Sequence, residues 1–140
     1  MTALFIVFGV IIAGFIWCAI DDYRFKQSLL ILKEGRENDS ICSFARSFDY
    51  RQIDTKAIRA VYESLQPYLR SKSKPFPIHR EDRLLEDYGI DFEELEYIFI
   101  DDIGPSISRD FSNSESNPYF DRVKTVGDLV LFTHHQPSAR

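Results

Sequence analysis

The rhythm of hydrophobic and polar positions changes several times along the chain. Residues 3–20, ALFIVFGVIIAGFIWCAI, carry no charge. A helix of that length rises ~1.5 Å per residue and reaches ~27 Å, close to the hydrocarbon thickness of a bilayer. Tyr23, Phe25, Leu29, Leu30, Ile31 and Leu32 then extend the helix beyond the apolar run, until Gly35-Arg36-Glu37-Asn38-Asp39-Ser40 breaks it. Residues 41–50 show no clear period. Residues 54–66 do: Asp54 stands in a capping position, Ile58, Val61, Tyr62 and Leu65 recur at spacings of three and four, and Pro67 forces a stop. Arg70-Ser71-Lys72-Ser73-Lys74 is a basic loop, either solvated or resting on anionic lipid heads. Phe76, Ile78, Leu84 and Leu85 read as core anchors, and Gly89 permits a turn.

Asp91 opens the next helix with Glu94 three residues on, in the manner of a capping box. Its spacing predicts Phe92, Leu95, Ile98, Phe99 and Ile103 as a buried stripe, with Glu93, Glu94, Glu96 and Asp101 outward and Gly104-Pro105 as the end. Residues 106–118 are polar and rich in Ser and Asn. Thr125 with Asp128 forms a second capping box, which opens a helix through Leu129, Val130, Leu131 and Phe132. The expected fold is all-α: an N-terminal transmembrane helix (1–21), a juxtamembrane helix and linker (22–52), a small helical bundle (53–133) and a flexible tail (134–140).

The N-terminal run has two rival readings, a cleaved signal peptide and a buried core helix. No Lys or Arg precedes it, and no small-x-small cleavage site follows Trp17-Cys18-Ala19-Ile20-Asp21-Asp22, which favours a retained anchor contacting lipid through residues 3–20. Arg24, Lys26, Lys33 and Arg36 all follow the run. The positive-inside rule therefore predicts a single-pass inner-membrane protein with its C-terminal part in the cytoplasm. In that compartment Asn38-Asp39-Ser40 is no glycosylation site.

Charge is unevenly spread. The chain carries −5, yet residues 81–102 hold ten acids and a single base, Arg83. An acidic amphipathic helix predicts a basic protein surface as partner, through Asp91, Glu93, Glu94, Glu96 and Asp101, and argues against nucleic acid. The two cysteines, Cys18 and Cys42, suggest neither a disulfide framework nor a zinc site, and Cys42 reads as a small buried or half-buried residue. The acids lack calcium-loop spacing. His79 reads as a loop histidine with a local hydrogen bond, and His134-His135 as part of a frayed end. No phosphate loop, nucleophile elbow or zincin motif occurs. The expectation is no enzyme, no metal and no cofactor.

Three stretches in order carry a further pattern: the helix over 54–66, Leu84-Leu85-Glu86-Asp87-Tyr88-Gly89-Ile90-Asp91 leading into an acidic helix, and Lys124-Thr125-Val126-Gly127-Asp128-Leu129-Val130. Over residues 53–132 this resembles acyl carrier proteins, small four-helix domains with a similar sequence before their acidic second helix. In that family the residue after the motif aspartate is a serine bearing 4′-phosphopantetheine. Here Phe92 occupies that position, so the resemblance implies the fold and a style of partner binding without the carrier chemistry. It is similar to uncharacterised bacterial domains that lack the serine. The expected role is a membrane-held, non-carrying interaction module. The alternatives are an atypical tethered carrier modified elsewhere and a structural or accessory membrane protein.

Overall fold

The computed structural model describes residues 2–69 and 74–139, with side chains described from Val7 onward. The described chain is helical, and no strand occurs in it. Helix α1 spans Thr2–Lys33, α2 Ile41–Arg46, α3 Thr55–Leu65, α4 Leu84–Tyr88 and α5 Phe92–Tyr97. A wide π-helical turn over Ile98–Ile103 joins α5 directly to α6, Gly104–Ile107. Two 3₁₀ turns, Ser114–Ser116 and Phe120–Arg122, lead to α7, Val126–His134. Arg70, Ser71, Lys72 and Ser73, most of the expected basic loop, lie outside the described residues.

Helix α1 runs unbroken from the apolar segment to Lys33. From Val7 to Ile20 its large apolar side chains are 46–73% exposed, so no described part of the protein covers them. The expected membrane span begins at Ala3, and the side chains of residues 3–6 lie outside the described set. Among the described residues no helix is long and apolar enough to cross a membrane.

The core is built around α3. Asp54 accepts the Lys56 N–H at 2.9 Å and starts the helix, whose buried stripe holds Ile58, Val61, Tyr62 and Leu65 together with Ala57 and Ala60. It packs on α7, α2, α6 and the π turn. Leu29 of α1 and Phe44 and Phe48 around α2 join the same apolar cluster. The irregular segment 41–50 folds because Ser40 and Ser43 form a capping box that no apolar period announces. Within α2 Cys42 is exposed, contrary to expectation, because the turn faces Phe44 inward instead. The extended approach to α4 is pinned by side chains of α3. Gln66 accepts the Phe76 N–H at 2.6 Å, and Gln66 and Tyr62 both donate to the Phe76 carbonyl at 3.1 Å.

One carboxylate ties these parts together. Asp82 is only 4% exposed. Its Oδ2 accepts from Arg36 Nη1 at 2.8 Å, the His79 N–H at 2.7 Å and the Tyr88 hydroxyl at 2.5 Å, while Oδ1 accepts from Arg36 Nη2 at 3.0 Å. Burial, reinforced by the bond to Asp82 and its charge, pushes the Tyr88 phenol far above its ordinary range, so it stays a donor. Burial works against the Arg36 charge, but the hydrogen bond and charge of Asp82 outweigh it and raise the guanidinium. The Asp82 carbonyl accepts the Val126 N–H at 2.9 Å, the Arg80 carbonyl accepts the Gly127 N–H at 2.8 Å, and Leu84 N–H bonds the Lys124 carbonyl at 2.9 Å. The two motif stretches at 84–91 and 124–130 thus meet in space. The loop carbonyls satisfy amides that the first turn of α7 leaves free. Gly127 is small because a methyl there would sit 3.0 Å from the Arg80 carbonyl oxygen.

The backbone of His79 bonds locally, to Asp82, but its ring does not. Its Nε2 reaches Asp39 Oδ2 at 2.7 Å, across forty positions of the chain. The end of the chain, expected to fray, is tied to residues 108–110: Asp110 N–H bonds the Pro137 carbonyl at 2.9 Å and Ala139 N–H the Ser108 carbonyl at 2.8 Å. Gln136 is 1% exposed, under Arg109, whose Nη1 donates to its carbonyl at 2.6 Å.

His134 belongs to this join, its Nδ1 accepting the Asp54 N–H at 3.1 Å. Burial, then the neighbouring His135 ring and the Arg109 guanidinium, hold its pKa below 6.5, with Asp54 opposing. An unfolded chain binds a proton there first. Stability associated with neutral His134 is therefore complete above pH 6.5 and is lost as pH falls from 6.5 through the lowered folded pKa. Thermal unfolding should show a decline below pH 6.5 that His134→Gln flattens. A decline unchanged in that variant would assign it to other groups.

Candidate functional site

The acidic stretch begins where Gly89 turns the chain. Its φ of 67° is left-handed, which favours glycine, and it caps α4. The Phe25 ring of α1 lies 3.3 Å from where a methyl on Gly89 would stand, so the same residue sets how closely α1 approaches. Two residues on, Asp91 Oδ1 accepts the Glu94 N–H at 2.9 Å and starts α5 as expected.

Leu95, Ile98, Phe99 and Ile103 are buried, but Phe92 is 59% exposed. As the first helical residue it projects past the core and meets the Phe120 ring edge-on at 6.1 Å. The helix does not stop at Gly104-Pro105 either. A proline inside a regular helix presses on the carbonyl four residues back, here Asp101. The wide turn shifts the pattern just before it: Gly104 N–H bonds the Phe99 carbonyl, five residues back, and the helix carries on to Ile107. Ser108, with φ of 54°, ends it.

This continuous, widened helix carries the candidate partner-binding residues, and Asp91, Glu93, Glu94, Glu96, Asp101 and Asp102 are all exposed. Apart from the cap made by Asp91, none of them forms a salt bridge with a described residue. The acids do not form one uniform patch. Glu94, Asp101 and Asp102 surround Tyr68, whose phenol is raised by burial and then by those three charges. Glu94 also lines a cleft of about 460 Å³ against α1, with Asp21, Asp22 and Phe25. Glu96 lies on the other flank, beside Phe92, Phe99 and Ile100 over a second hollow. Between the flanks, Tyr97 and Ile100 are 67% and 56% exposed. Sequence reasoning found the acids but missed these apolar residues among them. Ile100 follows two residues of the buried stripe but lies outside that stripe and is exposed.

Among the described residues no group of His, Cys, Asp and Glu is placed to hold a metal ion. Cys18 and Cys42 are both free. The arrangement sets carboxylates that make no salt bridge with a described residue beside exposed aromatic and aliphatic side chains. No family profile, curated protein or solved structure matches the chain.

The shape of this face depends on Gly104. A methyl there would lie 3.0 Å from the Phe99 carbonyl oxygen, 3.2 Å from the Phe111 ring and 3.3 Å from the Arg109 carbonyl oxygen. In an ordinary helix Gly→Ala stabilises by ~1 kcal/mol; crowding of this kind costs ~1–3 kcal/mol. Gly104→Ala should therefore lower the melting temperature. A rise would mean that the π turn relaxes to regular helix at no cost.

Proposed function

We propose that the protein is a non-carrying interaction module, held at a membrane by residues 3–20, that binds a basic protein surface through the acidic face of residues 91–103. The observation that carries this reading is the set of exposed carboxylates, Glu93, Glu94, Glu96, Asp101 and Asp102, which make no salt bridge with a described residue and are interleaved with exposed Phe92, Tyr97 and Ile100. Such a face attracts a cationic surface over a distance and has apolar contacts to hold it once docked. The acyl-carrier-like reading is supported by the spatial meeting of the 84–91 and 124–130 stretches and by the acidic helix that follows the first. Phe92, in place of a hydroxyl residue, removes the nucleophile that phosphopantetheine attachment needs. The anchor reading is supported by the uncharged run and by the apolar side chains of α1 that no described residue covers. Arg24, Lys26 and Lys33 after the run favour the cytoplasmic side for the rest of the chain.

A photo-cross-linking residue at position 97 tests both parts in native membranes. The chain should stay in the membrane pellet through alkaline washing. It should form a discrete adduct that disappears in the Glu93→Lys, Glu94→Lys, Glu96→Lys variant and fades toward ~1 M salt, where the screening length is only ~3 Å. Release by alkali would overturn the anchor. An adduct indifferent to charge reversal and salt would overturn the docking face.

A further inference from the structure

Beside the acidic helix lie two adjoining hollows, of about 430 and 600 Å³, whose walls share Phe99, Ile100, Phe111 and Ser112; together they are treated as one groove. The first is lined by Phe92, Phe99, Ile100, Phe111, Phe120 and Phe132. The second continues along Gly104 and Pro105 to Ala139. From Phe92 to Pro105 a helix rises about 20 Å, the length of three to four helical turns.

Three of the four charged side chains that line the groove are acidic. Glu96 and Glu115 flank the first hollow and Asp110 the second. The one base among the described lining residues is Arg109, and its Nη1 and Nη2 are engaged by the Gln136 carbonyl at 2.6 Å and Asp54 Oδ2 at 3.2 Å. A fatty acid or other carboxylate-headed lipid would meet repulsion along this rim. A cationic ligand with an apolar side would meet attraction at the rim and aromatic rings beneath.

We propose that the groove receives a basic amphipathic helix of the partner, its apolar stripe seated along the phenylalanine floor and its Lys or Arg residues on Glu96, Asp110 and Glu115. This rests on the docking reading above and adds the partner's shape. Helix-in-groove recognition needs a row of apolar anchors flanked by matching charge. The shared walls of the two hollows supply the row, and the rim supplies the charge. The exposed Ile100 stands where the hollows join, which makes it the residue a seated helix would cover most fully.

The test uses the full chain in zwitterionic nanodiscs, with empty discs as the blank. Two labelled peptides of about 18 Leu and Lys residues have the same composition. One has Leu at positions i, i+3, i+4 and i+7, and the other has Leu scattered around the helix. The amphipathic peptide should bind at least about tenfold more tightly, and Ile100→Asn should remove that advantage, as expected for loss of a central apolar anchor. Its saturable binding should also shift the NMR signals of Phe99, Ile100 and Phe111. Because Ile100 is exposed, the variant should melt as the parent does, and Ile100→Ser serves as a second substitution at the same wall. Equal binding of the two peptides, abolished by reversal of Glu93, Glu94 and Glu96, would overturn the groove while leaving the acidic face in place. Binding of neither peptide would overturn both.

Discussion

The fold depends on a single buried carboxylate. A carboxylate removed from water is costly unless donors replace the solvent, and Asp82 has four: two from Arg36, one from the His79 backbone and one from Tyr88. Those donors come from three parts of the chain that share no secondary structure. Arg36 lies past the end of α1, His79 precedes the turn, and Tyr88 closes α4. Breaking a buried pair of this kind by removing one partner typically costs ~3–5 kcal/mol, because the remaining charge is stranded. The peptide carbonyl of the same residue reaches the first turn of α7. Position 82 thus fixes how α1, α4 and α7 sit around α3.

That arrangement determines what the surface presents. With α4 held, Gly89 turns the chain toward α5, and Phe25 of α1 packs over the turn. The acidic helix is therefore placed relative to α1, so a cleft opens on its Glu94 flank and the phenylalanine groove on its Glu96 flank. Within the π turn ahead of Pro105, Ile100 is exposed among the acids. A face meant only for solvation has no need of exposed Phe92, Tyr97 and Ile100. These residues, and carboxylates that make no salt bridge with a described residue, are the features on which the proposed docking of a cationic, partly apolar partner rests.

Local chemistry was legible in the sequence. The caps at Asp54, Asp91 and Thr125 follow from short-range spacing, and so do the α3 stripe and the turn at Gly89, because each depends on residues within one helical turn. What depends on distant partners was not legible. Asp82 is one of ten acids in its stretch, and only the arrival of Arg36 from forty-six positions away sets it apart. The π turn hides because Gly104-Pro105 reads locally as a stop; the close approach of the Phe99 and Arg109 carbonyls to Gly104 shows why the helix needs that glycine and continues. The stripe prediction failed at Phe92 for a related reason, since the core ends before the first residue of α5.

A double-mutant cycle on Arg36 and Asp82 measures the central constraint directly. Arg36→Met, Asp82→Asn and the pair would be compared by thermal unfolding of the full chain in mild detergent. If the pair organises the fold, each single change is strongly destabilising and the double variant recovers part of the loss, with a coupling above about 1 kcal/mol. Single effects that add to within about 0.5 kcal/mol would contradict the account and leave Asp82 as one acid among the rest.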